Sequence, residues 1–341
     1  MLFSNISKEE KFLINILFNE NKLETKKFED IDYDYLVKIA SSHLMLPALY
    51  VNLKRKNCLK YIPQELNLYL NEIYRLNRAR NKILIEELNE ISNILNYNNI
   101  KYLLLKGSAH ILSNIYFDIG ERMIGDIDIL TSYDQSKKTF KILKENGYKP
   151  SIENNFFLNE EKHYVRQCKT DKIFAIEIHK KLLVKNNSEF LNLKKFIKNR
   201  NAINKIFIPS LNDQLKHNIY NYQINDYGNS KLSYSYRSFY DTFLLIKNNK
   251  INLDLIKPNK YINNYLMIGK ELKIPDLTYS NFKERKLDRY RFKFKYSNKI
   301  LFNIDNFIII QLIKLKNRPK QFFELITNKK YRKYICKKFL L

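Results

Sequence analysis

The sequence predicts an α+β fold, a small mixed β-sheet core flanked by N- and C-terminal helical regions. Short apolar runs of strand length, around Tyr102–Leu105, Ile127–Leu130 and Ile173–Ile178, fall together in the middle of the chain. Long stretches with apolar residues at helical spacing precede and follow them. Gly and Pro are scarce, at 6 and 7 of 341 residues, while aromatics reach 14%, which favours a packed, helix-rich globule over disorder. The expected division is a helical region at 1–97, the sheet core at 98–188 and a mainly helical region at 189–341.

Taken in order, Ser7-Lys8-Glu9-Glu10 reads as a capping box, with Phe12, Ile16 and Leu17 at helical spacing behind it. Asp34 to Leu49 continues the helical pattern until Pro47 interrupts it, and His43 is expected in or near the core. Pro63 suits the first residue of a long helix running to about Asn96, with Leu66, Leu70, Ile73, Leu84, Leu88, Ile91 and Leu95 as its buried stripe. Its opposite face carries Arg75, Arg78, Arg80 and Lys82, either a solvated face or a rail for nucleic acid. Asn98-Asn99 turns into a strand that ends at Lys106. Ala109 to Tyr116 then reads as an amphipathic helix, Gly120 as a turn, and the next apolar run carries Asp126 and Asp128 through Leu130.

Asp134 to Asn146 is a predicted helix, followed by a turn at Gly147. A hairpin pairs Tyr164–Cys168 with Ile173–Ile178 around Thr170-Asp171. Helices are expected at Asn212–Gln223 and Tyr236–Asn249, separated by a polar loop at Asp226–Ser230; within the second, Arg237 and Asp241 have the spacing of an intrahelical ion pair. Arg289 to Tyr296, RYRFKFKY, alternates basic and aromatic residues and reads as a strand with one cationic face. Lys329, Lys330, Arg332, Lys333, Lys337 and Lys338 lie between apolar residues, as in a basic amphipathic helix.

The chemistry concentrates on three carboxylates. Side chains alternate along a strand, so Asp126 and Asp128 share one face while Ile127 and Ile129 enter the core; Glu177 has the same apolar flanks. Two carboxylates two residues apart repel each other and are costly to bury unless a cation neutralises them. Hard oxygen donors suit Mg²⁺, and a third carboxylate on a neighbouring strand allows a second ion, the arrangement used for in-line attack at phosphorus. For Glu177 the competing reading is an edge-strand acid paired with Arg166 or Lys180.

The pattern Lys106-Gly107-Ser108, Arg122 ahead of Gly125, Asp126-Ile127-Asp128 and Glu177-Ile178-His179 resembles the uncharacterised nucleotidyltransferase family of the DNA polymerase β-like superfamily. The resemblance is specific over roughly residues 96–185. It implies Mg-dependent transfer of an NMP from an NTP, ATP among them, to an acceptor hydroxyl. Asp126, Asp128 and Glu177 would then be catalytic and hold two Mg²⁺ ions, and Lys106, Gly107, Ser108 and Arg122 would bind the nucleotide. His179, on the face of Glu177, would either tune the site or pack. Arg237, Tyr240 and Asp241 resemble a helix that follows the catalytic core and could line the acceptor pocket. The acceptor stays open: RNA, such as a tRNA end as in some nucleotidyltransferase toxins, a protein or peptide side chain, or a small metabolite. A catalytically inactive nucleic-acid-binding module is the rival from another class, and the intact carboxylates argue against it.

Lys and Arg exceed Asp and Glu by 26, which suits a polyanionic partner but equally an AT-rich coding bias. Three scattered cysteines, Cys58, Cys168 and Cys336, have no metal-ligand spacing and fit a reducing compartment. The first residues lack the features of a secretory signal, and the most apolar stretch, Ile304–Ile313, is too short to span a bilayer. A cytoplasmic protein without membrane insertion is expected; the sequence leaves its oligomeric state open.

Overall fold

Ser7 caps the first helix: its hydroxyl accepts from the Glu10 amide at 3.1 Å, and α1 (Lys8–Phe18) follows. The structure is a computed structural model that describes residues 6–20, 24–151, 162–184, 189–249, 251, 253, 256–277, 283–329 and 332. The single helical pattern expected over Asp34–Leu49 is divided. α2 (Tyr33–Ser42) and α3 (Leu46–Arg55) meet at 120°, with Leu44 at φ 58° between them. Pro47 lies in the first turn of α3, where a missing N–H costs nothing, so it begins a helix rather than ending one. His43 is half-buried at this corner, stacked on Tyr234.

The long helix α4 (Gln64–Tyr97) starts after Pro63, as expected, and its predicted stripe is buried except for Ile73, which is partly so. Midway it also buries Asn77 and Asn81. Their amides donate to the carbonyls of Ile119, Gly120 and Arg122 at 2.6–3.1 Å, which fastens the loop before the second strand to the helix. The basic face of α4 is mixed: Arg75 is exposed beside Glu72, Arg78 binds Asp118, and Arg80 lies over the Phe174 ring.

The described residues form a mixed five-stranded sheet in the order β1 (Tyr102–Leu104), β2 (Asp126–Thr131), β5 (Ala175–His179), β4 (Gln167–Cys168), β3 (Lys149–Pro150). β2 and β5 run parallel and the other neighbours antiparallel, so the expected hairpin places its second arm against β2. Between β1 and β2 lies α5 (Lys106–Leu112), three residues earlier than the pattern suggested because Lys106, at φ 51°, makes the strand-to-helix corner. Between β2 and β3 lies α6 (Tyr133–Glu145).

Beyond the sheet, α7 (Leu193–Lys198) precedes a small hairpin of β6 (Asn201–Ile203) and β7 (Ile206–Ile208), which the helical expectation for this region missed. α8 (Leu211–Tyr220) ends in a π-turn over Asn221–Asn225, and the expected polar loop contains a short helix, α9 (Gly228–Lys231). α10 (Tyr236–Asn249) and α11 (Lys260–Glu271) pack through Phe239 and Tyr265.

The segment Arg289–Tyr296 is not a strand. It forms most of α12 (Lys286–Lys295), followed by α13 (Lys299–Thr327). Its alternation matches a strand period, but tertiary contacts override it: Phe292 is buried against Tyr296 and Tyr234, while Tyr290 and Phe294 stay exposed and stack on each other one turn apart. Among the C-terminal basic residues, Lys329 and Arg332 are described; Lys330, Lys333, Lys337 and Lys338 lie outside the described residues, as does Cys336. Cys58 is buried and Cys168 exposed, both as free thiols.

Candidate active site

β2 and β5 are paired in a register that sets Asp128 directly opposite Glu177. Alternation sends Ile127, Ile129, Ile176 and Ile178 into the core, each fully buried, and leaves Asp126, Asp128, Glu177 and His179 on the other face. Asp128 and Glu177 are nearly buried, and Asp126 at the strand start is half-exposed. His179 Nε2 stands 2.7 Å from Asp128 Oδ1 and 3.6 Å from Glu177 Oε2. One ligand atom from each of Asp128, Glu177 and His179 falls within 4.8 Å of the others, a group able to hold a metal ion.

Two cations meet these acids. Lys106, at the corner before α5, reaches Asp128 Oδ1 at 2.5 Å. Arg166, from the chain entering β4, binds Glu177 Oε1 at 2.8 Å and Asp126 Oδ2 at 3.0 Å. The partner named by the competing reading of Glu177 is therefore present. Arg166 also bridges to the second acid, and its side chain is 57% exposed, so it covers the site from the solvent side. His163, 3.9 Å from Glu177, stands beside the His179 ring.

The ionisation of the acids follows from this layout. Burial raises the Asp126 carboxyl above its ordinary range, reinforced by the neighbouring charges of Asp128 and Glu177. Burial opposes ionisation of Asp128 as well, but Lys106 and His179 outweigh it and hold the group well below the usual range. Glu177 is likewise held down to about 2, the His179 and Arg166 hydrogen bonds overcoming burial. Burial would lower Lys106, yet Asp128 raises it, so the two stay charged together.

The donor set fits a hard divalent cation. Carboxylates converge on one face, with a lysine and an arginine supplying countercharge and an imidazole able to orient the oxygens.

The candidate nucleotide-binding residues divide into two environments. Gly107 and Ser108 are buried in the first turn of α5; a Cβ on Gly107 would stand 2.9 Å from Ile124, so glycine is needed there for packing alone. Arg122 is 11% exposed and clamped to Asp241 of α10, with its Nε at 3.1 and 3.2 Å from the two carboxylate oxygens. Asp241 also accepts from the Tyr116 hydroxyl at 2.7 Å, and His110 lies 3.6 Å away. The intrahelical Arg237–Asp241 pair is thus displaced: Asp241 takes Arg122 from across the fold instead. Tyr240 donates to buried Glu121 at 2.7 Å, so it braces the same loop rather than lining the cavity.

Lys106 and Arg122 nonetheless border one cavity of about 150 Å³, with His110, His217, Arg237 and Asp241 among its walls. Sequence reasoning missed His110, His163 and His217. His110 was within reach, lying one helical turn after Lys106; His217 carries no local signal, because only the packing of α8 on α5 brings it there.

A family model described as uncharacterised nucleotidyltransferase matches residues 29–259, about two thirds of the chain and all of the sheet. No curated protein matches it. Among the described residues, no single helix is long and apolar enough to cross a membrane.

Proposed function

The chain belongs to the uncharacterised nucleotidyltransferase family, and on that premise we propose that it moves an NMP from an NTP to an acceptor hydroxyl at the Asp126, Asp128 and Glu177 cluster, releasing pyrophosphate. The observation that carries the reading is the β2–β5 register, which sets acids of separate strands on one face with His179 against them.

Asp126, Asp128 and Glu177 would hold Mg²⁺, two ions by the family resemblance, and Mg²⁺ when bound supplies charge neutralisation at the phosphates and a more acidic acceptor hydroxyl. His179 keeps Asp128 ionised and its oxygens oriented. Lys106, charged and half-exposed, can exchange Asp128 for a phosphate oxygen, because phosphoryl transfer rests on positioning and electrostatics. Arg166 is placed to swing from the carboxylates towards an incoming phosphate, since its side chain is open to solvent.

RNA is the acceptor class favoured by the net charge of +26. One observation favours a peptide or small acceptor instead. The cations of α12 are already engaged: Arg289 with Glu271 and Glu284, Arg291 with Asp305, Lys293 with Glu271, and Lys295 with Asp305. Incubation of the pure protein with each NTP labelled at the α-phosphate, Mg²⁺ and either total RNA or nuclease-treated extract decides between them. Label in RNA, with binding that weakens steeply with salt, supports RNA; salt-insensitive label in the treated extract supports a small acceptor or peptide. No label in any fraction overturns the proposal.

A further inference from the structure

The cavity bordered by Lys106 and Arg122 opens between α5, α8 and α10, and it gathers the cations Lys106, Arg122 and Arg237. Arg122 is satisfied by Asp241, and Lys106 by Asp128. Arg237 of α10 lines the same space, half-buried, and makes no hydrogen bond or ion pair among the described residues. Asp241 and Asp226 act on it without direct contact, and burial still lowers it; a half-buried guanidinium with no carboxylate bonded to it is a place an anion can occupy.

A second, independent feature agrees. His217 lines the cavity and is 3% exposed, yet its Nε2 has no hydrogen-bond partner among the described residues; His110, also on the wall, turns its Nδ1 to Asp241 at 3.6 Å. A buried polar nitrogen is rarely left so; the His217 one can donate to a ligand oxygen. Asn218, Ser235 and Ser238 add polar side chains to the wall. The carboxylates on the wall are Asp226 and Asp241; burial raises Asp226 out of its ordinary range even though Lys106, Lys162, Arg237 and Lys231 act on it. Lys162, hydrogen-bonded to Asn221 at 3.2 Å, is lowered by burial and then by Lys106. The Asp226 shift reflects burial, and the Lys162 shift reflects burial beside a second cation.

Size narrows the ligand. About 150 Å³ is well below the roughly 300–1,000 Å³ of pockets that enclose a drug-sized molecule, so a whole nucleotide does not fit within it. A phosphate tail does. Lys106 joins the cavity to the carboxylates, because it borders the one and binds Asp128 in the other.

We propose that this cavity is the subsite for the terminal phosphates of the NTP, and that Arg237 is the residue by which the protein distinguishes a nucleoside triphosphate from a monophosphate. The inference rests on the nucleotidyl-transfer reading and extends it to the helices that supply Arg237 and His217 to the cavity wall. The pyrophosphate formed on transfer would leave from the same subsite.

The test is titration calorimetry with inorganic tripolyphosphate, an NTP and the matching NMP, on the wild-type chain and on the Arg237→Gln and Arg237→Lys variants. Wild type should bind tripolyphosphate. Arg237→Gln should weaken tripolyphosphate and NTP at least tenfold and leave NMP affinity unchanged, while Arg237→Lys recovers part of the loss. Should Arg237→Gln fail to fold, amide hydrogen exchange on the wild type replaces it: tripolyphosphate should slow exchange in 211–225 and 236–249. Equal tripolyphosphate affinity in Arg237→Gln, an equal loss of all three ligands, or no protection in those segments overturns the subsite. If label transfer proceeds in Arg237→Gln at an unchanged KM for NTP, the subsite falls and the transfer reading stands. If tripolyphosphate binding depends on Arg237 but no NTP yields transfer, the subsite stands and the transfer reading falls.

Discussion

Two centres of buried carboxylate lie on either side of Lys106, and they are built on opposite terms. Around Asp241 the charges close: one acid faces Arg122 and the Tyr116 hydroxyl, and the arginine is 11% exposed. Around Asp128 they do not close. Asp126, Asp128 and Glu177 crowd one face, and their bridging arginine, Arg166, is 57% exposed and free to leave. Burial raises Asp126, whereas Asp241 is held well below the usual range because Arg122, His110 and Tyr116 outweigh its burial. The satisfied pair ties the loop before β2 to α10; the over-supplied acidic face is compatible with a cation.

The largest effect is expected in the closed centre. Arg122→Ala leaves Asp241 buried with only the Tyr116 phenol and the His110 imidazole beside it, and breaking such a pair costs roughly 3–5 kcal/mol. Urea unfolding reads it as a lower midpoint at unchanged slope. Replacing the pair together, Arg122→Met with Asp241→Leu, should recover most of that loss; if the double variant is as unstable as the single one, the centre is not a simple pair.

A smaller effect concerns Glu121, in the loop that carries Arg122. Burial pushes its carboxyl up to about 7, against the Tyr240 hydroxyl at 2.7 Å and the Asp118 amide at 2.9 Å, which favour ionisation. With its folded value above its unfolded one, Glu121 supports the fold fully below about pH 4.5, and that support fades as pH rises through about 7. The total is on the order of 3 kcal/mol. Glu121→Gln should flatten the wild-type fall in stability over that window, measured as unfolding free energy against pH. Parallel profiles for the two proteins would show that Glu121 is ionised in the fold.

The smallest effect has the opposite sign and lies in the open centre. Asp126→Asn removes one of the crowded charges without emptying the core, so melting temperature without metal should hold or rise slightly at pH 7. A marked fall would make Asp126 structural, joining it to the class of Asp241.

The open centre was legible because its signal is local. Asp126, Asp128 and Glu177 sit on strands, where a period of two puts them beside apolar neighbours in the sequence itself. The helix α4 was legible for the same reason, its stripe repeating over many turns. The closed centre was not. Arg237 stands four residues before Asp241 and offered the obvious partner, but Arg122 comes from 119 residues away, and only the packed fold reveals which one pairs. The same limit explains α12: RYRFKFKY satisfies a strand period, while burial of Phe292 and Lys295 on one helical side decides the outcome. Local pattern identified the open carboxylate face; the partners that close a centre were matters of tertiary contact.

The most direct test of the account is Glu177→Gln, assayed for transfer of α-phosphate label from NTP in the presence of Mg²⁺, beside NTP affinity measured by calorimetry on the same protein. Glu177 contributes where charge develops in the transition state, so transfer should fall by at least about a hundredfold while NTP affinity changes by no more than a few-fold. Unimpaired transfer in Glu177→Gln would contradict the account, since the competing partner Arg166 would then explain the residue completely.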